Sequence, residues 1–284
     1  MTNKKIAFVT DSTAYLTEEM RSHPDVYVVP IVVISEGKQY EDGVDLTSKQ
    51  LYEIICNVKE VPKTSQPNVG KFYELYEKLK RDYDHAIAIH VSSKLSGTIS
   101  SSIAGKDQAG FDVEVIDSHS LSFAITDLIA KGLKLRNEGK EVRFIAEELR
   151  LLAKNSMNLI VLGSLEQLYK GGRMSGTSFL LGNFLNIKPI LSIDSNGELN
   201  LVERIRSEKK AITKIISLLQ ESCERNPVKR INIVHGNVRE KAMSLKKRIN
   251  KELPGIETVI GEISTSLAVH GGEGTIGVFW NIKE

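Results

Sequence analysis

The sequence has few of the features that mark secreted, metal-binding or membrane-spanning proteins. Its 284 residues include two cysteines, Cys56 and Cys223, which lie far apart and form no Cys-x-x-Cys motif, so neither a zinc site nor a disulfide framework is indicated. No apolar run approaches the ~18 residues of a membrane span, and the first apolar stretch is too short for the core of a signal peptide. We therefore expect a reduced, metal-free, cytoplasmic protein.

The chain also lacks an excess of charge of either sign. Its 38 Lys and Arg residues nearly balance 36 Asp and Glu residues, which leaves a net charge of +2. No overall field therefore draws this protein to nucleic acid or to an anionic membrane. Since no DNA-recognition motif is present either, a nucleic-acid-binding regulator is the weakest hypothesis for its function.

Short apolar runs alternate with longer segments of helical periodicity in the first half of the chain. This pattern is typical of βαβ units around a mostly parallel sheet. The predicted strands are Ile6–Val9, Val26–Ile34, Ala86–Val91 and Val113–Ile116. The predicted helices are Ser48–Val58, Val69–Tyr83, Gly97–Gln108, Ser120–Glu138 and Val142–Lys154.

The pattern changes at about residue 159. There Asn196-Gly197 separates two apolar runs and predicts a hairpin, hence antiparallel pairing. The predicted strands are Leu159–Leu162, Lys188–Asp194, Leu199–Arg204, Arg230–His235, Glu257–Ile263 and Thr275–Trp280, and the predicted helices are Thr177–Asn186, Glu208–Glu224 and Val238–Leu253. We expect an N-terminal α/β domain over residues 1–158 and a C-terminal mixed α/β domain over residues 159–284, with a ligand cleft between them.

Two hydroxyl-rich segments occur where α/β proteins commonly bind ligands. Thr10-Asp11-Ser12-Thr13 follows the first strand, at the sheet edge where open α/β folds hold ligands, although Asp or Ser there can also cap a helix. Thr64-Ser65 precedes the helix that begins near Val69, where free N–H groups and the helix dipole favour an anion. A helix cap followed by Pro67 is the structural alternative.

A third hydroxyl-rich segment, Ser96-Gly97-Thr98, links a strand to a helix. Gly97 permits a close approach of the backbone, while Ser96 and Thr98 present hydroxyls beside exposed N–H groups. The segment lacks the spacing of a P-loop or of a dinucleotide fold, so nucleotide binding is poorly supported. It predicts either an anion cradle or a plain turn.

Two glycine-rich segments in the second half carry a basic side chain each. Gly171-Gly172-Arg173 suits an exposed loop whose guanidinium reaches a phosphate or an acidic partner, with a solvated arginine as the alternative. His270 is followed by Gly271-Gly272-Glu273-Gly274, a loop with little side-chain bulk in which the imidazole and the backbone can approach a ligand together. We interpret His85, His90 and His119 as structural.

Ser96 and His270 also admit an enzymatic hypothesis, with Ser96 as nucleophile and His270 as its base. No G-x-S-x-G elbow surrounds Ser96, and no acid is marked to orient His270. A small serine hydrolase or esterase is therefore the alternative to a binding protein.

Taken in order, these motifs resemble those of the DegV family from Phe8 to Val278. The motifs are Asp11-Ser12-Thr13, Thr64-Ser65-Gln66-Pro67, Leu95-Ser96-Gly97-Thr98, Asp117-Ser118, Gly171-Gly172-Arg173 and His270-Gly271-Gly272-Glu273-Gly274. The resemblance implies a two-domain DegV-like α/β fold and a bacterial, cytoplasmic protein that binds a long-chain fatty acid and contacts a membrane transiently at most. Members of the FakB type present that fatty acid to a separate, ATP-dependent fatty acid kinase, which makes the acyl phosphate for phospholipid synthesis.

The resemblance also implies the binding residues. The carboxylate would be held by hydroxyls, a histidine and nearby backbone, which correspond here to Thr64, Ser65, Ser96, Gly97, Thr98, His270 and Gly271. Support or partner contact would come from Asp11, Ser12 and Arg173. Candidate linings of the acyl tunnel, all of which suit an ordinary core equally, are Ile31, Val33, Leu121, Phe123, Ile125, Leu180 and Phe184. No catalytic residue, metal or cofactor is expected besides the bound fatty acid.

Overall fold

The computed structural model describes residues 5–58, 60–173 and 187–282. The predicted helix Thr177–Asn186 and the candidate lining residues Leu180 and Phe184 lie outside the described residues. Among the residues that are described, no helix combines the length and the apolar character needed to cross a membrane.

The N-terminal half contains a wholly parallel four-stranded sheet. Its strands, in the order β2-β1-β6-β7, are β1 (Ile6–Asp11), β2 (Val26–Val29), β6 (His85–His90) and β7 (Val113–Asp117). One face packs against α3 (Val69–Leu79) and α4 (Thr98–Ala109), and the other against α5 (Phe123–Asn137) and α6 (Val142–Ala153). Because both faces are covered, all six residues of β1 are buried.

A small antiparallel sheet follows β2, and the prediction of one continuous strand over Val26–Ile34 is wrong. Pro30 has no N–H to donate, so the chain leaves the parallel sheet there. It then forms a separate sheet of order β4-β3-β5. The strands are β3 (Val32–Ser35), β4 (Lys38–Glu41) and β5 (Lys63–Ser65). Helix α1 (Glu18–Arg21) precedes β2 in the chain, and helix α2 (Ser48–Asn57) connects β4 to β5.

The C-terminal half is a six-stranded mixed sheet in the order β10-β9-β8-β13-β11-β12. Only β11 and β12 pair in parallel, and the predicted hairpin is confirmed, with Gly197 at a φ of +82° between β9 and β10. The strands are β8 (Ser156–Val161), β9 (Ile190–Ile193), β10 (Leu199–Glu203), β11 (Arg230–His235), β12 (Glu257–Glu262) and β13 (Ile276–Asn281). The helices are α7 (Leu165–Lys170), α8 (Glu208–Arg225), α9 (Arg239–Glu252) and α10 (Thr265–Gly271).

The two halves share a hydrophobic core. Helices α8 and α9 cover one face of the mixed sheet. The other face, which includes Leu191 and Phe279, shares a core with residues of the first half such as Leu51 and Phe123. The α/β architecture expected from the sequence is confirmed. Residue 158 falls within β8, and the division of the chain into two domains there stays a proposal.

Candidate functional site

An apolar cavity lies between the mixed sheet and the carboxyl end of the parallel sheet. Its empty space, mouth included, measures about 900 Å³. The mixed sheet contributes Ile160, Val234 and Phe279, and the N-terminal half contributes Val91 and Leu121. Other apolar linings are Ile31, Leu95, Leu162, Leu168, Ile193, Leu199, Ile263 and Leu267.

Polar residues from sequence-distant segments meet at one end of this cavity. Thr64, in the short strand β5, places its Oγ1 2.7 Å from Nε2 of His270 in the last turn of α10. The polar or backbone groups that line the cavity are Thr13, Thr64, Ser65, Ser96, Arg173, Ser266, His270, Gly271 and Thr275. Five of the seven residues expected to hold a carboxylate are therefore brought together here.

His270 lies in a helix and not in the glycine-rich loop that the sequence predicts. Helix α10 has seven residues and begins after Ser264, whose side chain accepts the N–H of Leu267. So short a helix shows too little periodicity to be recognised from the sequence. The turn after it contains Gly272, which has a φ of +78°.

The Gly171-Gly172-Arg173 motif makes room for the imidazole. A Cβ atom at position 171 would lie 2.2 Å from Nδ1 of His270, so the ring packs directly on the backbone of Gly171. Gly171 itself has an ordinary helical φ of −73°. Close approach, rather than backbone freedom, is therefore the reason for glycine at this position.

The imidazole of His270 is neutral at physiological pH. Burial lowers its pKa to about 4, and the positive charge of Arg173 lowers it in the same direction. Nδ1 of His270 is buried and makes no hydrogen bond to any described residue. A neutral imidazole supplies one N–H donor and one acceptor nitrogen to the site.

Arg173 is the one side chain with a permanent charge among the described residues that line the cavity. Its Nη1 donates to the carbonyl of Gly171 at 2.6 Å and its Nε to the carbonyl of Leu95 at 3.3 Å. Burial lowers the pKa of its guanidinium, which nevertheless stays protonated in proteins. A half-buried cation beside neutral donors favours an anionic group at this end of the cavity.

Asp11 supports the site from behind and does not line the cavity. Its wholly buried carboxylate accepts hydrogen bonds from the N–H and hydroxyl of Thr13 and from the N–H of Val91, two residues that do line it. Nδ1 of His90 lies 3.2 Å away. Burial raises the pKa of Asp11, but His90 and the hydrogen bonds of Thr13 and Val91 outweigh burial and lower it overall.

Ser12, Gly97 and Thr98 also act through neighbours. The Ser12 hydroxyl donates to Asp42 at 2.8 Å and accepts the N–H of the lining residue Ile31. A Cβ at Gly97 would meet the side chain of Gln66 at 2.8 Å, and the buried Thr98 places Oγ1 2.8 Å from Oγ of Ser96. These three residues are absent from the described lining of the cavity.

Of the residues expected to line the acyl tail, some line the cavity and others lie in the core. Ile31 and Leu121 line the cavity, whereas Val33 and Phe123 pack in the shared core and Ile125 in the core beneath the parallel sheet. Most of the apolar lining comes from the second half, where the sequence analysis considered only Leu180 and Phe184. Alternate residues of a strand lie on the same face, so every second residue of β8, β9 and β13 could have been identified as a candidate for the cavity wall.

Asp42, which the sequence analysis did not single out, holds the start of the helix that carries His270. Its Oδ1 accepts the N–H of Thr265 at 2.9 Å and also the Thr265 hydroxyl, at the first residue of the helix that carries His270. Because Asp42 also binds Ser12, it connects the end of β1 to this helix.

The geometry disfavours the hydrolase alternative. His270 pairs with Thr64, Ser96 pairs with Thr98, and no described carboxylate contacts the free Nδ1 of His270. The chain does contain a linear arrangement of carboxylate, imidazole and hydroxyl in Asp11, His90 and Ser102, but all three are fully buried, which leaves no access for a substrate. The described part of the chain has no group of three His, Cys, Asp or Glu side chains suited to a metal ion.

Comparisons with known proteins agree with this fold. A family profile described as "Uncharacterised protein, DegV family" matches residues 5–283. A DegV domain-containing protein of Listeria innocua is 33% identical and covers 99% of this chain and 100% of its own. The crystal structure of DegV, a fatty acid binding protein from Bacillus subtilis, is 33% identical with a TM-score of 0.88 and covers 99% and 100% of the two chains.

A second solved structure extends the agreement. The fatty acid binding DegV family protein from Streptococcus agalactiae is 30% identical with a TM-score of 0.91, and covers 99% of this chain and 100% of its own. The profile and all three relatives thus span nearly the whole chain. On these grounds the chain belongs to the DegV family.

Proposed function

We propose that this protein binds a long-chain fatty acid in the cavity between its two halves. The carboxylate lies at the polar end, near Thr64, Ser96, Arg173 and His270, and the tail lies along the apolar walls. The observation that carries this proposal is a cavity with apolar walls, in which Thr64, Ser96, Arg173 and His270 supply polar groups from the short strand β5, from loops and from the end of α10. The fatty acids bound by relatives of the same fold support it.

The polar end suits a carboxylate. A carboxylate removed from water needs several donors, and the hydroxyls of Thr64 and Ser96, one N–H of His270 and the guanidinium of Arg173 are of that kind. The positive charge of Arg173 offsets part of the free-energy cost of removing the carboxylate from water. Since His270 is neutral, it contributes a hydrogen bond and no second charge.

The apolar walls determine affinity. At ~0.8 kcal/mol per buried CH₂ group, a tail of about sixteen carbons supplies on the order of 10 kcal/mol before the cost of association. The polar end then determines which way round the ligand lies.

We further propose that the protein is a carrier that acts with a fatty acid kinase in the cytoplasm, where the ATP used by that kinase is available. The partly exposed positions of Thr64, Ser96 and His270 support this role, because a partner must reach the carboxylate from outside. The opposite end, at Phe279, is buried. In this role the carrier supplies the carboxylate in a fixed position, and the kinase supplies the phosphoryl transfer.

Native mass spectrometry of the purified protein tests fatty acid binding directly. We expect a co-purified fatty acid in a ratio near 1:1, released by denaturation and identified by its mass. A protein that is empty and also fails to take up added palmitate contradicts the proposal. Incubation with activated esters tests the hydrolase alternative, since a carrier gives no burst of product and no adduct on Ser96.

A further inference from the structure

Two asparagines lie in one row across the mixed sheet, on either side of Phe279, which lines the cavity. Phe279 of β13 pairs with Asn158 of β8 on one side and with Asn232 of β11 on the other. Residues directly opposite in antiparallel strands project to the same face. Phe279 lines the cavity, and so does Val234, two residues beyond Asn232. Both amides therefore project to the face of the sheet that borders the cavity, and the asparagines lie next to its lining residues without being among them.

This row lies far from the carboxylate end. Thr275 lines the polar end, and Phe279 follows it by four residues along the same chain. At about 3.3 Å per residue, the row is roughly 13 Å further along the cavity. It is therefore level with the middle or distal part of a bound acyl chain.

Among the described residues, the amide of Asn158 has hydrogen-bond partners and that of Asn232 has none. Nδ2 of Asn158 donates to the carbonyl of Ile193 at 2.9 Å, and Oδ1 accepts the N–H of Ile193 at 2.7 Å, so this amide completes the pairing of β8 with β9. Asn232 is 1% exposed, and neither its Nδ2 nor its Oδ1 bonds to any described residue. A buried amide without partners is costly and rare in folded proteins. A β-branched apolar residue would suit this strand position better.

We propose that Asn232 is a specificity-determining residue that binds an oxygen substituent, a hydroxyl or a keto group, on the middle or distal part of the acyl chain. This inference rests on the proposed function. A hydroxyl can donate to Oδ1 and accept from Nδ2, so one substituent satisfies both amide atoms. An unsubstituted chain leaves them unpaired, which is the condition under which a polar site discriminates most strongly.

Equilibrium binding of stearate and of hydroxystearates tests this assignment. The hydroxyl is placed near the carboxylate, at mid-chain or near the methyl end, and each ligand is measured on the wild type, Asn232→Leu and Asn158→Leu. Asn232→Val serves as a second substitution that suits a strand. We expect the preference for a mid-chain or distal hydroxyl over stearate to fall at least about tenfold in both Asn232 variants, since the hydroxyl loses two hydrogen bonds. Stearate affinity stays the same or rises.

The control separates this effect from a change in folding. Asn158→Leu lowers the melting temperature through its lost bonds to Ile193 but leaves the ratio of hydroxystearate to stearate affinity unchanged. An equal ratio in the wild type and the Asn232 variants overturns the assignment while stearate binding upholds the proposed function. Failure of the wild type to bind any of these acids refutes the proposed function itself.

Discussion

Replacing Gly171 by alanine should disable the carboxylate site without removing any polar group. The new Cβ would lie 2.2 Å from Nδ1 and 2.8 Å from Cε1 of His270, whereas ordinary contacts begin at 3.4 Å. The ring must therefore move by roughly 1 Å, since the repulsion rises steeply at such distances. That shift breaks the 2.7 Å contact between His270 and Thr64 and displaces the imidazole from the carboxylate.

The expected magnitude follows from this displacement. Overpacking a filled site costs about 1–3 kcal/mol, and loss of one hydrogen bond to the ligand weakens binding about tenfold. The backbone is not the cause, because residue 171 has a φ of −73°, which alanine adopts without strain. We therefore expect Gly171→Ala to fold and to bind palmitate at least about tenfold more weakly, as measured by displacement of a fluorescent fatty acid.

Gly172→Asn is the matched control. A Cβ atom at position 172 would meet nothing within 4 Å, and asparagine tolerates the φ of +71° found there. This variant should bind palmitate as the wild type does. Wild-type affinity in Gly171→Ala, together with unchanged imidazole resonances of His270 in NMR spectra, would refute the packing argument.

Three other substitutions test separate features of the site. Ser96→Ala should slow acyl phosphate formation with the partner kinase while the melting temperature stays within a few degrees, and an unchanged rate would contradict the assignment of Ser96. Arg173→Met should weaken binding of an ionised fatty acid about tenfold to a hundredfold and leave binding of the matching fatty alcohol unchanged, because only the acid carries a charge. His270→Gln should flatten the dependence of unfolding free energy on pH. The pKa of His270 is about 4 in the folded state and about 6.5 in the unfolded state. In the wild type, stability that is present above pH 6.5 is therefore lost as the pH falls toward 4, by at most about 3 kcal/mol, and the His270→Gln variant lacks this loss because glutamine does not titrate.

Local patterns in the sequence predict the elements well. The strand Arg230–His235 is confirmed residue for residue, and the hairpin at Asn196-Gly197 is confirmed by its antiparallel strands. Apolar periodicity and turn chemistry are properties of neighbouring residues, so a sequence displays them directly. The break at Pro30 was missed because apolar residues continue on both sides of it, and the helix before Gly272 was missed because seven residues show too little helical periodicity.

The site could be predicted only in part. Motifs rich in hydroxyls and glycine identified Thr64, Ser96 and His270, but the contact between Thr64 and His270 joins residues 206 positions apart, which no local pattern reveals. The tail-lining residues were harder still. Core positions and cavity walls are both filled by apolar side chains, so Ile125 in the core and Ile160 in the cavity wall look alike in sequence.

The cavity has walls from both halves of the chain, and this makes occupancy a property of the whole molecule. A ligand that binds only the folded chain raises its unfolding free energy, by about 2.7 kcal/mol when the free ligand is a hundred times its Kd. Proteases degrade chains that open, so a loaded molecule should survive digestion longer than an empty one. The supply of ligand would then regulate how much of this protein persists in a cell, with no dedicated regulator.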